Sequence, residues 1–331
     1  MKYNLLVVTD HKTHTDTNSV YRLSLAMRDD PGCHIVWVCS KGLDQNKDFF
    51  SGVPGAAIYA SLVPDDFDFD PAGRFFHQGV TKVDKQSIDA ILIRLPQPAD
   101  PAFLFSLESI VPPSQIINSP GGIMLTSSKA FLLKLSHLCP EPVLCHSLAE
   151  AMHMSRYKEI VLKPLYSYGG RGIVRLSTDY CWNGNDRYPI DELASFLSDS
   201  SFPMLAVRFL KNVTLGDKRT VVANGTILGS ALRLPAPDSW MCNVAQGGHA
   251  RLDKADEDEL IIERHLTPLL YNLGVVFYGF DTLVDDDGHR VLSEINTLSI
   301  GGLMPLDEMS EDNILARAAT LLWDYIEKTK D

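Results

Sequence analysis

Cysteine is scarce in this chain, and what there is lacks a pattern. The 331 residues include Cys33, Cys39, Cys139, Cys145, Cys181 and Cys242, with no C-x-x-C pair and no zinc-ligand spacing to a histidine. That excludes a disulfide framework and a zinc ribbon, and reduced thiols of a cytoplasmic protein are the expectation. Long apolar runs are missing too. The first, Leu5–Val8, is far too short for a signal h-region or a membrane span, and no other stretch reaches 18 residues. No membrane partner is therefore expected. Basic residues are in deficit, 30 Lys and Arg against 42 Asp and Glu, a formal charge of −12. Sequence-independent nucleic-acid binding needs a basic face to displace counterions, so no nucleic-acid partner is expected either. The chain also lacks G-x-x-x-x-G-K-[ST], and lacks G-x-G-x-x-G after its first strand. These absences exclude a P-loop and a Rossmann dinucleotide site.

What is present is an ordinary globular mixture, 45% hydrophobic and 22% charged. At roughly 100–200 residues per domain, the length predicts about two or three domains. The first third alternates strand and helix patterns: strands over Tyr3–Thr9, His34–Cys39, Ile88–Leu95 and Gln115–Asn118, helices over Ser19–Arg28 and Phe103–Ile110. That order predicts a parallel sheet with crossover helices. The Gly-, Pro- and Asp-rich segment Lys41–Gln86 reads mostly as surface loops. Pro120-Gly121-Gly122 marks a boundary. After it come a helix capped by Thr126 or Ser127 and running to about Leu138, strands at Ile160–Pro164 and Ile173–Leu176, and a helix over Ile190–Leu197. In the last third, Asn224-Gly225 joins strands Asp217–Ala223 and Thr226–Arg233 as a hairpin. Strands Val275–Val284 and Arg290–Ile295 meet at Asp285-Asp286-Asp287-Gly288, and amphipathic helices cover Asp256–Asn272 and Ile314–Lys328. Met204–Leu210 reads as the strand that opens this third. The expected units are 1–122, 123–203 and 204–331.

Three features carry chemistry. Asp281 lies late in one strand of the last hairpin, while Glu294 and Asn296 lie two apart in its partner and share a face. Two carboxylates and an amide oxygen suit Mg²⁺, although acids also flank hairpins simply because hairpin ends are solvated. Second, Lys163 precedes the turn Ser167-Tyr168-Gly169-Gly170-Arg171-Gly172. Glycines let backbone N–H groups close over phosphate oxygens, and Lys163 can reach them, but the same run also reads as a tight hairpin. Third, Lys129, Asp217-Lys218-Arg219, Arg233, Asn243 and Gln246-Gly247-Gly248 are spread along the same region. Each alone reads as a surface group. Together with the acids and the glycine turn they predict a phosphate-handling site.

The order of these motifs resembles the ATP-grasp ligases, and within them the bacterial glutathione synthetase family. The likeness is specific in Gly216-Asp217-Lys218-Arg219, in Gly279-Phe280-Asp281, and in Ser293-Glu294-Ile295-Asn296-Thr297. It implies a three-domain ATP-grasp α/β fold: an N-terminal parallel-sheet domain, a central α+β lid domain and a C-terminal antiparallel-sheet α+β domain. ATP would lie between the last two. The resemblance assigns Lys129 and Lys163 to the α- and β-phosphates and Tyr168, Gly169 and Gly170 to a lid. It gives backbone groups of Phe209 and Leu210 to adenine and Asp217 to ribose. Arg219 and Arg233 would steady the transferring phosphoryl group; Asp281, Glu294 and Asn296 would hold Mg²⁺, with Mn²⁺ as a substitute. Arg94 would face the acid, with Asn243, Ser299 and Gly301 as further substrate contacts. The implied activity is an ATP-dependent carboxylate–amine ligation through an acyl phosphate, with γ-glutamylcysteine and glycine as first candidates. A related ligase acting on another acid or peptide, or a nucleotide-binding regulator, stays open. A homo-oligomer is also implied. The chain departs from the family where an R-G-N run would place arginine at Met241, for which Arg171 or His249 could substitute. It departs again at Val207-Arg208, at Arg94-Leu95-Pro96-Gln97-Pro98, and at Leu298-Ser299-Ile300-Gly301-Gly302.

Overall fold

The computed structural model describes residues 2–32, 34–237, 239–242 and 249–330. The chain forms three sheets. In the first, Asn4–Thr9 is central, parallel to Ile35–Ser40 on one side and Ala90–Arg94 on the other. Its five residues after Asn4 are all buried, as a strand covered on both faces requires. Ile116–Ile117 extends the parallel set. The segment expected to be loops does more: Ile58–Leu62 and Thr81–Val83 add two antiparallel strands at the far edge. The strands are short and separated by Gly and Pro, so local pattern hid them. Burial of Ile58, Ala60 and Val83 against the first sheet's core fixes them.

The predicted helix Ser19–Arg28 is Val20–Asp29, and it packs on the closing helix Ile314–Lys330. The Trp323 indole N–H donates to the Met27 carbonyl at 2.9 Å. First and last elements thus share one core. Pro120-Gly121-Gly122, read as a boundary, forms the first turn of a helix, Pro120–Thr126, with proline at its start. A Cβ on Gly122 would sit 2.3 Å from the Leu273 carbonyl oxygen, so this turn is packed against the C-terminal part. The segment expected to run as a helix from Thr126 or Ser127 to about Leu138 starts at Lys129 and is 3₁₀ rather than α. This run, Lys129–Leu138, is capped by Ser128 and broken at Leu135.

The second sheet is antiparallel throughout and spans Val143–Cys145 to Met204–Arg208. Met204–Arg208, grouped above with the last third, pairs with Ile160–Pro164 in this sheet. The hairpin Tyr180–Asn183/Asp186–Pro189 and the helix Leu148–Ser155 were not foreseen. The third sheet is also antiparallel, with strand order His249–Asp253, Thr226–Leu234, Asp217–Ala223, Phe277–Val284, Arg290–Asn296. Its outer helix, Glu257–Asn272, opens with a capping box between Asp256 and Glu259. No described helix is long and apolar enough to cross a membrane.

Candidate active site

Two one-residue irregularities set the site. In the hairpin formed by Phe277–Val284 and Arg290–Asn296, Thr282 faces Leu292, but Asp281 faces Glu294. Ser293 is the extra residue. Directly opposed residues in an antiparallel pair point to the same side, and a one-residue slip inverts every side chain. Without the bulge Asp281 would face Ser293, and Glu294 and Asn296 would point away. The neighbouring hairpin does the same. Val222 faces Ile227 but Val221 faces Gly229, so Asp217 meets Arg233 and Arg219 meets Ala231. Strand pairing then places Arg219 opposite Asp281.

The resulting charges interlock. Arg219 grips Asp281 through Nε (2.7 Å) and Nη2 (2.6 Å). Arg233 grips Asp217 through the same two atoms, both at 2.6 Å, and its Nη2 lies 3.0 Å from Asp281 Oδ2. Burial pushes the Asp281 carboxyl up, but Arg219 and Arg233 outweigh it and hold it well below the usual carboxylate range. Lys163 is buried; its Nζ donates to the Ser293 hydroxyl at 3.0 Å and the Ser293 carbonyl at 3.2 Å. Burial pushes its ammonium below the ordinary lysine range, opposed by Glu294. Lys129 Nζ donates to the Ser167 carbonyl, lies 3.6 Å from Glu294 Oε1, and sits 5.2 Å above the Tyr168 ring. The Tyr168 hydroxyl donates to the Ser127 carbonyl at 3.2 Å. Gly169 and Gly170 have φ of 66° and 76°, which only glycine adopts freely, so the turn needs both.

Two clefts meet here. One is walled by Val161, Ile173, Val207, Phe209, Leu210, Trp240 and Met241, and reaches Lys163, Gly170, Asp217, Asp281 and Glu294. An apolar slot ending in cations and acids suits a nucleotide. The other is lined by Thr13, Asn18, Arg94, Gln97, Tyr168, Gly169, Arg219, Arg233, Glu294, Asn296, Ser299 and Gly301. Glu294 borders both. Arg94 is 4% exposed; its Nη2 donates to the Ser19 hydroxyl (2.8 Å) and the Ile300 carbonyl (3.1 Å). Its Nε and Nη1 have no partner among the described residues. Burial pushes Arg94 down to about 10.

The structure therefore gathers Lys129, Lys163, Tyr168, Gly169, Gly170, Phe209, Leu210, Asp217, Arg219, Arg233, Asp281, Glu294, Asn296, Arg94, Ser299 and Gly301 around two joined clefts. Asn243 and Gln246-Gly247-Gly248 lie outside the described residues. The Phe209 N–H donates to the Glu159 carbonyl at 2.9 Å, so the base contact expected of it is not its amide hydrogen. Met241 is buried in the first cleft, whereas Arg171 and His249 are exposed and line neither. Sequence reasoning missed Ser293, Thr13, Asn18, Gln97 and Trp240. Ser293 had a signal: apolar Leu292 and Ile295 are three apart, not two, which marks a bulge.

As a metal site, the donors are two carboxylates and a carboxamide. Among the described residues no three His, Cys, Asp or Glu side chains group for a metal. Asn296 Nδ2 is buried and has no described partner, and a turned amide offers oxygen in the same place. This hard-oxygen set fits a divalent cation of the magnesium kind.

A family model for the prokaryotic glutathione synthetase ATP-grasp domain matches residues 128–311. The glutathione synthetase of Agrobacterium fabrum is 30% identical over 254 residues, covering 76% of this chain and 75% of that protein. That of Brucella melitensis is 29% identical over 248 residues, 74% and 75%. Among solved structures, D-cycloserine synthetase DcsG superposes with a TM-score of 0.61 at 16% identity, over 97% of this chain and 99% of that one. The VanG D-Ala:D-Ser ligase from Enterococcus faecalis gives 0.63 at 11%, over 98% and 100%. At such identities these two show the fold alone.

Proposed function

The chain belongs to the prokaryotic glutathione synthetase ATP-grasp family and is an ATP-dependent carbon–nitrogen ligase, and on that premise we propose that it joins γ-glutamylcysteine to glycine with Mg²⁺ as its metal. The observation that carries the reading is the meeting of two clefts at Glu294, one apolar and cation-tipped, the other holding a buried guanidinium with two unpartnered nitrogens. The second and third sheets enclose the nucleotide; the first supplies the acid side.

A carboxylate is a poor electrophile, and phosphorylation gives it a good leaving group. Lys163, in the first cleft, and Lys129, on the other side of Glu294, hold the phosphate chain. Arg219 and Arg233, on the border of the second, stabilise charge on the phosphoryl group as it passes to the acid. Arg94 borders the second cleft and anchors the acid once its two buried, unpartnered N–H groups turn toward it. Asp281, Glu294 and Asn296 hold the metal, which draws charge from the phosphate oxygens when bound. The Tyr168–Gly170 turn covers the junction and keeps water from the acyl phosphate, so that the amine attacks first.

The test is ADP and phosphate release with Mg²⁺, γ-glutamylcysteine and glycine, product formation being read alongside. A second reading, a related ligase for another acid or peptide, is favoured by Gln97, Ser299 and Gly301, which line the acid cleft where the chain departs from the family. Release only with a different acid–amine pair selects it.

A further inference from the structure

Asp281 is assigned to the metal in the reading above, yet both its oxygens are already held. Arg219 Nε and Nη2 lie at 2.7 and 2.6 Å, and Arg233 Nη2 at 3.0 Å. The three side chains are 5%, 16% and 12% exposed, so water contributes little to this contact. With Asp217 the group contains two carboxylates and two guanidiniums, and is neutral.

A divalent ion arriving alone would meet a carboxylate with three of its roughly four acceptor sites taken, and would have to displace a guanidinium or lie against both in a poorly screened site. Charges a few ångströms apart there repel by several kcal/mol. A phosphate chain changes the balance, because it offers the guanidiniums oxygens of their own. The geometry allows the exchange. Asp217 and Asp281 line the nucleotide cleft, while Arg219 and Arg233 line the acid cleft, so the ion pairs form the wall between them. Arg219 runs along Gly279, Gly301 and Gly302, where added Cβ atoms would stand 3.9, 3.8 and 3.5 Å from its side chain. At those distances even a Cβ would make only ordinary contact, so these backbones do not clamp the side chain.

We propose that Arg219, supported by Arg233, determines the form in which the divalent cation enters: the pair shuts the free ion out of Asp281 and releases the carboxylate to a metal–polyphosphate complex. Arg219 is then a specificity-determining residue as well as a phosphate contact. The proposal rests on the metal assignment above.

The test is Mn²⁺ binding, followed by electron paramagnetic resonance, to full-length protein without nucleotide. Arg219→Gln is expected to raise Mn²⁺ affinity at least about tenfold over wild type, the equivalent of one charge-assisted hydrogen bond removed from competition. Arg219→Lys, which keeps the charge but not the two-point grip, is expected to give a smaller gain and serves if the glutamine variant does not fold. Adding Asp281→Asn to either variant should erase the gain. Mn²⁺ binding no tighter in either variant than in wild type overturns the exchange. If Asp281→Asn leaves Mn²⁺ binding in the presence of ADP unchanged, the metal assignment itself is wrong.

Discussion

Arg94→Met separates what the protein needs to be stable from what it needs to work. Arg94 is fully buried, and the fall from the ordinary 12.5 to about 10 measures how poorly the site supports its charge. At 1.36 kcal/mol per tenfold, that is ~3 kcal/mol of disfavour toward the charged form. Methionine removes it and fills similar space. The substitution also frees the Ser19 hydroxyl and the Ile300 carbonyl from their bonds to Nη2, which costs about 1–3 kcal/mol. The two effects oppose, so the net change runs from about zero to about 2 kcal/mol of added stability. At ~2 °C per kcal/mol, the melting temperature should hold or rise by a few degrees. Function should go the other way. Losing two charge-assisted bonds to a substrate carboxylate removes roughly 3 kcal/mol of binding, or about a hundredfold in kcat/KM for the acid. ATP affinity should not change, because Arg94 lines only the second cleft. The assays are thermal unfolding, ATP titration and initial rates over a range of acid concentrations. An Arg94→Met enzyme with wild-type KM for the acid would refute the anchoring role. A loss of several degrees would refute the claim that the charge is held against its preference.

Three further outcomes follow from the same geometry. Glu294→Ala, which empties the point where both clefts meet, should abolish turnover while the melting temperature stays within a few degrees; wild-type-like rates would discard the metal assignment. Gly122→Ala forces a methyl to within 2.3 Å of the Leu273 carbonyl and should destabilise by about 1–3 kcal/mol in chemical denaturation, with kcat little changed. His14 accepts from or donates to Tyr21 and Thr9, and burial, with His11 and Arg94 nearby, pushes it down to about 4. Its folded value lies below its unfolded 6.5, so its contribution is whole above that pH and is lost as pH falls from 6.5 toward 4. Wild type should therefore lose stability over that window relative to His14→Gln, and parallel stability–pH curves for the two would contradict it.

Much of the architecture was legible because it rests on local pattern. Uniform burial of Leu5–Val8 reads as an inner strand, Asn224-Gly225 as a hairpin, and the acids opening Glu257–Asn272 as a helix start. The antiparallel strands Ile58–Leu62 and Thr81–Val83 were not legible, since each is too short to show a period and is held by distant residues. Met204–Arg208 reads as a strand, but nothing in five residues says which sheet it joins.

The site divides along the same line. Residue types and spacing by themselves determined that two carboxylates, an amide, a glycine turn and several cations are available for phosphate chemistry. Which of them face one another was decided by two bulges, at Ser293 and between Gly229 and Ile227. One residue of slip reverses a strand's faces, and the slip is set by how Leu292 and Ile295 pack in the core, not by the polar residues that benefit. The grip of Arg219 and Arg233 on Asp281, and the two idle nitrogens of Arg94, are likewise consequences of burial across distant strands, where lost solvation makes the choice of partner decisive.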